Sequence, residues 1–231
     1  MNLATETLTN CFGQTITVFS EDHIGKHIRQ FGLYEKEKLL FLLALLGKME
    51  KPVVLDIGAN IGNHSLAFAT GAARILAFEP IPAIYSVLEQ NLRQNHLVNV
   101  QAYNMALSDK DAVATIYLGS NSNLGMSSFD QRESATESIE VNCQIGDSFL
   151  GTLDLPKIDL IKIDVEGHEK FVVRGLLDTI KKHQPVITME WNDPLAIEGF
   201  IDSPELEFLN EAYCFFGLGT NHDRTVWQNQ P

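Results

Sequence analysis

Short β-branched and aliphatic runs alternate with stretches of helical periodicity along most of this 231-residue chain. Residues 53–57, 75–78, 98–103, 158–163 and 186–189 are compact apolar runs. Runs of this kind predict strands buried on both faces, because a half-exposed strand would alternate polar and apolar positions. Between them, 63–70 reads as a helix stopped by Gly71. Ile84, Val87, Leu88, Asn91 and Leu92 fall at helical spacing between Pro82 and Asn95. Upstream, 35–46 reads as an apolar helix closed by Gly47 and followed by Pro52. Strand, helix, strand in this order predicts an α/β fold with a parallel sheet and helical crossovers, which binds ligands beyond the carboxyl ends of its strands. Asp56, Glu79, Asn104, Asp164 and Glu190 each end one of these strands.

Two regions break the alternation. Residues 113–118 and 138–144 read as strands of an inserted hairpin, and the Ser/Asn/Gly-rich segment 119–128 between them as a lid that is mobile without ligand, with Ser127 and Ser128 reaching the site. Beyond Trp191, 204–211 reads as a helix, and 213–217 with 225–227 as a closing antiparallel pair.

The chemistry begins where the first strand enters its turn, Asp56-Ile57-Gly58-Ala59-Asn60-Ile61-Gly62. Glycines there let main-chain amides approach a ligand at the mouth of the next helix. A pyrophosphate site wants a third glycine and no carboxylate at its lip; Asp56 instead suits a cation, such as the sulfonium and ammonium of S-adenosyl-L-methionine, and argues against NAD. Glu79, at the end of the second strand and about 20 residues on from the glycines, is placed to accept hydrogen bonds from ribose hydroxyls.

Four ordered motifs extend this reading: the glycine turn, Phe78-Glu79-Pro80, Asn104-Met105-Ala106-Leu107-Ser108-Asp109, and Lys162-Ile163-Asp164-Val165-Glu166-Gly167-His168-Glu169. With Phe31-Gly32-Leu33-Tyr34-Glu35 upstream and Gly125-Met126-Ser127-Ser128 between, the series resembles that of FkbM-type class I S-adenosylmethionine-dependent methyltransferases, over roughly 32–191. The resemblance implies a single Rossmann-like domain over 1–231: an N-terminal extension and cap helix (1–50), then a core with an insertion at about 112–145. It implies a mostly parallel seven-stranded sheet whose last strand is antiparallel. It also implies O-methylation of a small molecule or glycan, a sugar or polyketide-like acceptor, with S-adenosyl-L-homocysteine as product. Carried onto this chain, the cofactor contacts are Glu35, Asp56, Gly58, Asn60, Gly62, Asn63, Glu79, Pro80, Asn104, Ala106 and Asp164.

Methyl transfer needs an aligned acceptor oxygen and removal of its proton. Asp164 is the first candidate for that work, His168 the second because imidazole titrates near neutrality, and Glu166 stands between them. Asp164, Glu166 and Glu190 are also hard oxygen ligands for Mg²⁺, but a base and proximity suffice, and metal-free transfer is expected. An NAD-dependent oxidoreductase would share the sheet and Glu79 but not Asp56 or the short glycine pattern. A non-catalytic cofactor-binding protein would need no acidic cluster after Ile163.

The formal charge of −13 excludes a phosphate-tracking nucleic-acid partner. No apolar run approaches a membrane span and no basic-then-apolar leader opens the chain, so the cytoplasm is the expected location and membrane insertion is not expected. Cys11, Cys143 and Cys214 have neither disulfide-framework nor zinc spacing and are expected to be reduced and mostly buried. The acceptor's identity and the oligomeric state are left open.

Overall fold

The computed structural model describes residues 3–120, 122–130, 137–190 and 207–213. The chain divides into two compact units, Met1–Glu190 and Trp191–Pro231.

The first unit opens with an antiparallel hairpin, β1 (Thr5–Thr9) and β2 (Thr15–Phe19), and a helix α1 (His23–Phe31). None of these was drawn from the sequence, although Ile16 and Val18 of β2 are fully buried. Asp22 caps α1 by accepting the Ile24 amide (2.9 Å) and, with its other oxygen, the amide of Leu124 (2.8 Å). Gly32 ends the helix in the left-handed region at φ 79°. Helix α2 (Lys36–Leu46) follows and packs Leu39, Leu42 and Leu46 inward.

The central sheet begins with β3 (Val53–Ile57), followed by α3 (Asn63–Phe68), β4 (Arg74–Phe78), α4 (Pro82–Gln94) and β5 (Val100–Tyr103). After the insertion come β9 (Leu160–Ile163), α6 (Glu169–Gly175), α7 (Leu177–His183) and β10 (Val186–Met189). These five strands are all parallel, in the order β10-β9-β3-β4-β5. The chain runs outward from β3 through β4 to β5, then returns to lay β9 and β10 on the other side. The order therefore reverses between β3 and β9, and an open α/β sheet offers its ligand crevice at such a switch point. Every residue of β3 and β9 is buried, the burial their apolar runs predict for central parallel strands. The fold is α/β and Rossmann-like, as expected. The described residues hold five of the seven expected strands of this sheet, and most of the predicted closing pair lies outside them.

The insertion is the expected hairpin, with one addition. Strands β7 (Ala112–Tyr117) and β8 (Ser138–Ile145) pair antiparallel, and the short β6 (Ala106–Ser108) joins β8 in parallel to make a three-stranded sheet. A 3₁₀ turn at Leu124–Met126 lies between β7 and β8, and α5 (Gly146–Gly151) follows β8. A buried polar clamp ties the N-terminal hairpin to the core. The Asn91 side chain of α4 accepts the Thr17 amide (2.6 Å) and donates to the carbonyls of Thr17 (2.9 Å) and Ile61 (2.8 Å). Cys143 is buried but Cys11 is exposed; Cys214 lies outside the described residues.

In the second unit the described residues include one helix, α8 (Glu207–Ala212), on the stretch predicted as helical. No helix among the described residues is long and apolar enough to cross a membrane.

Candidate active site

At the switch point β3 and β9 end side by side, and their registered pair is Asp56 and Lys162. Asp56 is fully buried. Its Oδ1 lies 3.2 Å from Lys162 Nζ and its Oδ2 accepts the Ser65 hydroxyl at 2.6 Å. Lys162 also donates to the Gly58 carbonyl (2.9 Å) and approaches Asp164 Oδ2 at 3.5 Å. Burial alone would lower the Lys162 pKa, but Asp56 and Asp164 outweigh it and hold the ammonium charged well above its ordinary range. The sequence reading of Asp56 as the partner of a cofactor cation is corrected here, because its charge is matched within the protein. Lys162 went unremarked, yet a lysine inside the apolar run 158–163 requires a buried counter-charge.

The glycine turn also works differently from the expectation. Gly58 and Ala59 donate to the Phe78 carbonyl (3.0 and 2.9 Å), Asn60 to Glu79 Oε2 (3.0 Å), Ile61 to Asn60 Oδ1 (2.7 Å) and Gly62 to the Ala59 carbonyl (2.9 Å). Each amide from Gly58 to Gly62 is thus already used within the protein. A phosphate cradle needs such amides for its ligand, so the geometry strengthens the case against NAD while removing the main-chain contacts first proposed for this turn. Gly58 is required by close approach: at φ 75°, a Cβ there would sit 1.8 Å from the Asp164 carbonyl oxygen.

Glu79 ends β4 nearly buried, each carboxylate oxygen accepting one amide, from Asn60 (3.0 Å) and Ile81 (2.9 Å). Burial pushes its pKa up to about 7, against the pull of those two hydrogen bonds. Asn104, ending β5, donates to the carbonyls of Glu79 (2.9 Å) and Pro80 (3.0 Å) and so fixes the loop that carries them. Pro80 and Asn104, with Val113, Glu140 and Asn142 of the inserted sheet, line a cleft of about 310 Å³. Ala106 is buried in β6 and packs in the apolar core.

On the β9 side, carboxylate oxygens of Glu35, Asp164 and Glu190 lie within 4.8 Å of one another. Glu35 takes the place that the sequence reading gave to Glu166. It holds a left-handed backbone at φ 49°, a conformation that costs a non-glycine residue about 1–3 kcal/mol and collects at functional sites. Asn60 (φ 51°) and Glu166 (φ 52°), at the same rim, share it. Lys38 Nζ lies 3.0 Å from Glu35 and 3.9 Å from Glu190. Buried His64 points Nε2 at Glu35 Oε2 (3.4 Å). Burial, then the charges of Lys162 and Lys38, keep this imidazole neutral by lowering its pKa well below the ordinary value. Burial and the Asp164 charge raise the Glu190 carboxyl.

Asn63 holds the segment before Glu35 in place: its side chain accepts the Tyr34 amide (3.2 Å) and donates to the Tyr34 carbonyl (3.1 Å). The Tyr34 phenol is pushed up to about 12 by burial, then by the charges of Glu35, Glu190, Asp164 and Glu166. Tyr34, Lys38 and His64 belong to the site and were not assigned roles from sequence; only the motif Phe31 to Glu35 pointed to this stretch.

His168 does not have the surroundings of a base. Its ring lies against Phe129 (centroids 4.2 Å) and Phe171 (4.7 Å), Nε2 is 3.0 Å from the Ser108 hydroxyl, and burial pushes its pKa down to about 4. The described residues of the insertion around Gly119 and Leu124 to Ser128 are likewise tied down. Ser127 Oγ donates to the Leu124 carbonyl and accepts the Gly119 amide, and Ser128 Oγ donates to the Glu166 carbonyl at 2.7 Å. His23 donates its amide to the Ser122 carbonyl, joining α1 to the same segment. The hydroxyls of Ser127 and Ser128, expected to reach the site, are engaged in hydrogen bonds within the protein.

The chain is similar in sequence to known methyltransferases. Residues 56–214 match the methyltransferase FkbM domain. Methyltransferase 1 of Beauveria bassiana is 32% identical over 54% of this chain and 58% of its own length. Methyltransferase sdnD of Sordaria araneosa is 30% identical over 76% of this chain and 77% of its own. The 2-O-methyltransferase NoeI of Sinorhizobium fredii is 27% identical over 68% and 70%. The chain thus spans little more than half the length of the first of these relatives.

Proposed function

We propose, from the premise that this chain belongs to the FkbM methyltransferase family, that it is an S-adenosyl-L-methionine-dependent O-methyltransferase acting on a hydroxyl of a small molecule or glycan. The observation that carries this reading is the division of the switch point into two halves. On the β4 side stands a buried acceptor, Glu79, behind a turn with its amides already engaged; on the β9 side stand the converging carboxylates of Glu35, Asp164 and Glu190. That arrangement suits a nucleoside carrying positive charge and disfavours a pyrophosphate. The 2-O-methyltransferase NoeI, a relative by sequence, supports a hydroxyl as acceptor.

In this reading Glu79 accepts the ribose hydroxyls, Pro80 and Asn104 wall the base side, and the carboxylates of the β9 side face the charged end of the cofactor. The bound cofactor supplies a methyl group on a sulfonium. Asp164 holds the acceptor hydroxyl and takes its proton at a carboxylate oxygen as the new carbon–oxygen bond forms. Lys162 orients Asp164 through Oδ2, and Lys38 holds Glu35. His168, engaged with Ser108 and two phenyl rings, is structural.

Titration calorimetry with S-adenosyl-L-homocysteine, NAD and ATP tests the reading. Heat from S-adenosyl-L-homocysteine alone is expected; saturable NAD binding with none from S-adenosyl-L-homocysteine would replace it with an oxidoreductase.

A further inference from the structure

We propose that the outward face of α2 is a homodimer interface, in which the helix packs antiparallel against the α2 of a second copy of this chain across a two-fold axis. The inference concerns assembly and stands independently of the reaction assigned above.

Helix α2 is apolar on both sides. Leu39, Leu42 and Leu46 are buried against the core. About half a turn round from them, Leu40 and Phe41 remain 44% and 48% exposed and Ala44 is exposed beside them, while Leu43 and Leu45 are half-buried. A helix that is apolar all round is one that becomes covered all round, and adjoining exposed large apolar side chains mark an association surface. Positions 37, 41, 44 and 48 recur at intervals of four, three and four, the spacing of a seam between two packed helices. The seam reads Glu37, Phe41, Ala44, Lys48.

That order is complementary to its own reverse, which is what a two-fold interface requires: residue i meets j and j meets i. In the antiparallel register centred between Leu42 and Leu43, Phe41 of each copy meets Ala44 of the other, so the ring fills the space the small residue leaves, and Leu40 meets Leu45. The same register sets Glu37 against Lys48 and, one position further out, Lys36 against Glu50. Lys36, Glu37, Lys48 and Glu50 are exposed, and among the described residues their side chains have no hydrogen bond or ion pair within the chain. Lys38, held by Glu35 at 3.0 Å, lies about a quarter turn from the seam and stays with the active site. Charge also selects this face. Two chains at −13 repel each other over most of their surface, whereas Lys36, Lys48 and Lys51 balance Glu37 and Glu50 here. A pair of three-turn helices makes a small interface, so the dimer is a weak one, with a dissociation constant on the order of 10 µM.

Sedimentation equilibrium of the full chain across the micromolar range tests this, and a reversible dimer is expected. Phe41→Glu should be monomeric with unchanged thermal unfolding, because the ring is already exposed in the single chain. Glu37→Lys alone and Lys48→Glu alone each set like charges together at both ends and should dimerise about tenfold less tightly. An equimolar mixture of the two should recover the affinity, since every pair across the two-fold is then opposite again. A dimer that persists in Phe41→Glu, or a mixture no tighter than either variant alone, would overturn this interface. So would a wild-type chain that stays monomeric; side-chain footprinting that finds Phe41 shielded in that monomer would give the face to another segment of the same chain.

Discussion

Lys162 faces Asp56 across adjacent central strands, Nζ to Oδ1 at 3.2 Å, both side chains 2% exposed or less. A charge pair this deep matters less for its own net energy than for what its loss exposes. Lys162→Met should leave Asp56 buried without a counter-ion and cost about 3–5 kcal/mol. The pair variant Lys162→Met with Asp56→Leu should recover part of that loss. Urea unfolding of the three variants measures the coupling; additive losses would mean that the pair is not an energetic unit.

Glu79 makes the pH dependence of cofactor binding predictable in sign. Its carboxyl titrates at about 7 in the free protein, and hydroxyls donating to it favour the ionised form. Binding should therefore release a proton below that pH, and affinity for S-adenosyl-L-homocysteine should rise with pH and level off above about 7. Glu79→Gln should weaken binding by about 1–3 kcal/mol and flatten the profile. Calorimetry in buffers of different ionisation enthalpy reads both effects; a flat wild-type profile would take Glu79 out of the site.

Strand order explains how far the sequence could be read. Central strands of a parallel sheet are buried on both faces, so β3, β4 and β9 announce themselves as apolar runs, and strand-end residues such as Glu79 and Asp164 follow from them. The pairing of Asp56 with Lys162 could not follow, because it depends on β9 returning to the far side of β3. Nor could the engagement of the turn's amides: Gly58 and Ala59 donate to Phe78 of a neighbouring strand, and Asn60 to Glu79 beyond it. Glu35 was named from the upstream motif, but its convergence with Asp164 and Glu190 depends on its own left-handed backbone and on the Asn63 clamp on Tyr34, neither of which has a local signature.

The insertion should behave as a strap. The amide of Leu124, bonded to Asp22, and that of Ser128, bonded to Tyr117, should resist hydrogen exchange without any ligand. Asp22→Ala removes both the α1 cap and the tether, and should cost about 1–2 kcal/mol and free the Leu124 amide. Rapid exchange at both amides in the unliganded wild type, slowed by S-adenosyl-L-homocysteine, would restore the lid.

Asp164 and His168 were both candidates for the base, and their surroundings separate them. Asp164 stands partly open beside Glu35, Glu190 and Lys162, whereas His168 is packed between phenyl rings with a pKa near 4. Asp164→Asn keeps the shape and removes the charge, so methyl transfer should fall on the order of 10²-fold or more, the scale of general acid–base catalysis, with cofactor affinity much less changed. His168→Gln should lower stability by about 1–3 kcal/mol through the Ser108 contact and ring packing, yet leave the pH profile of transfer between 6 and 8 unmoved. EDTA should leave turnover intact, because Lys38 already supplies positive charge between Glu35 and Glu190. An active Asn variant beside an inactive His168→Gln would reverse the two roles, and activity lost to EDTA and restored by Mg²⁺ would make the three carboxylates metal ligands.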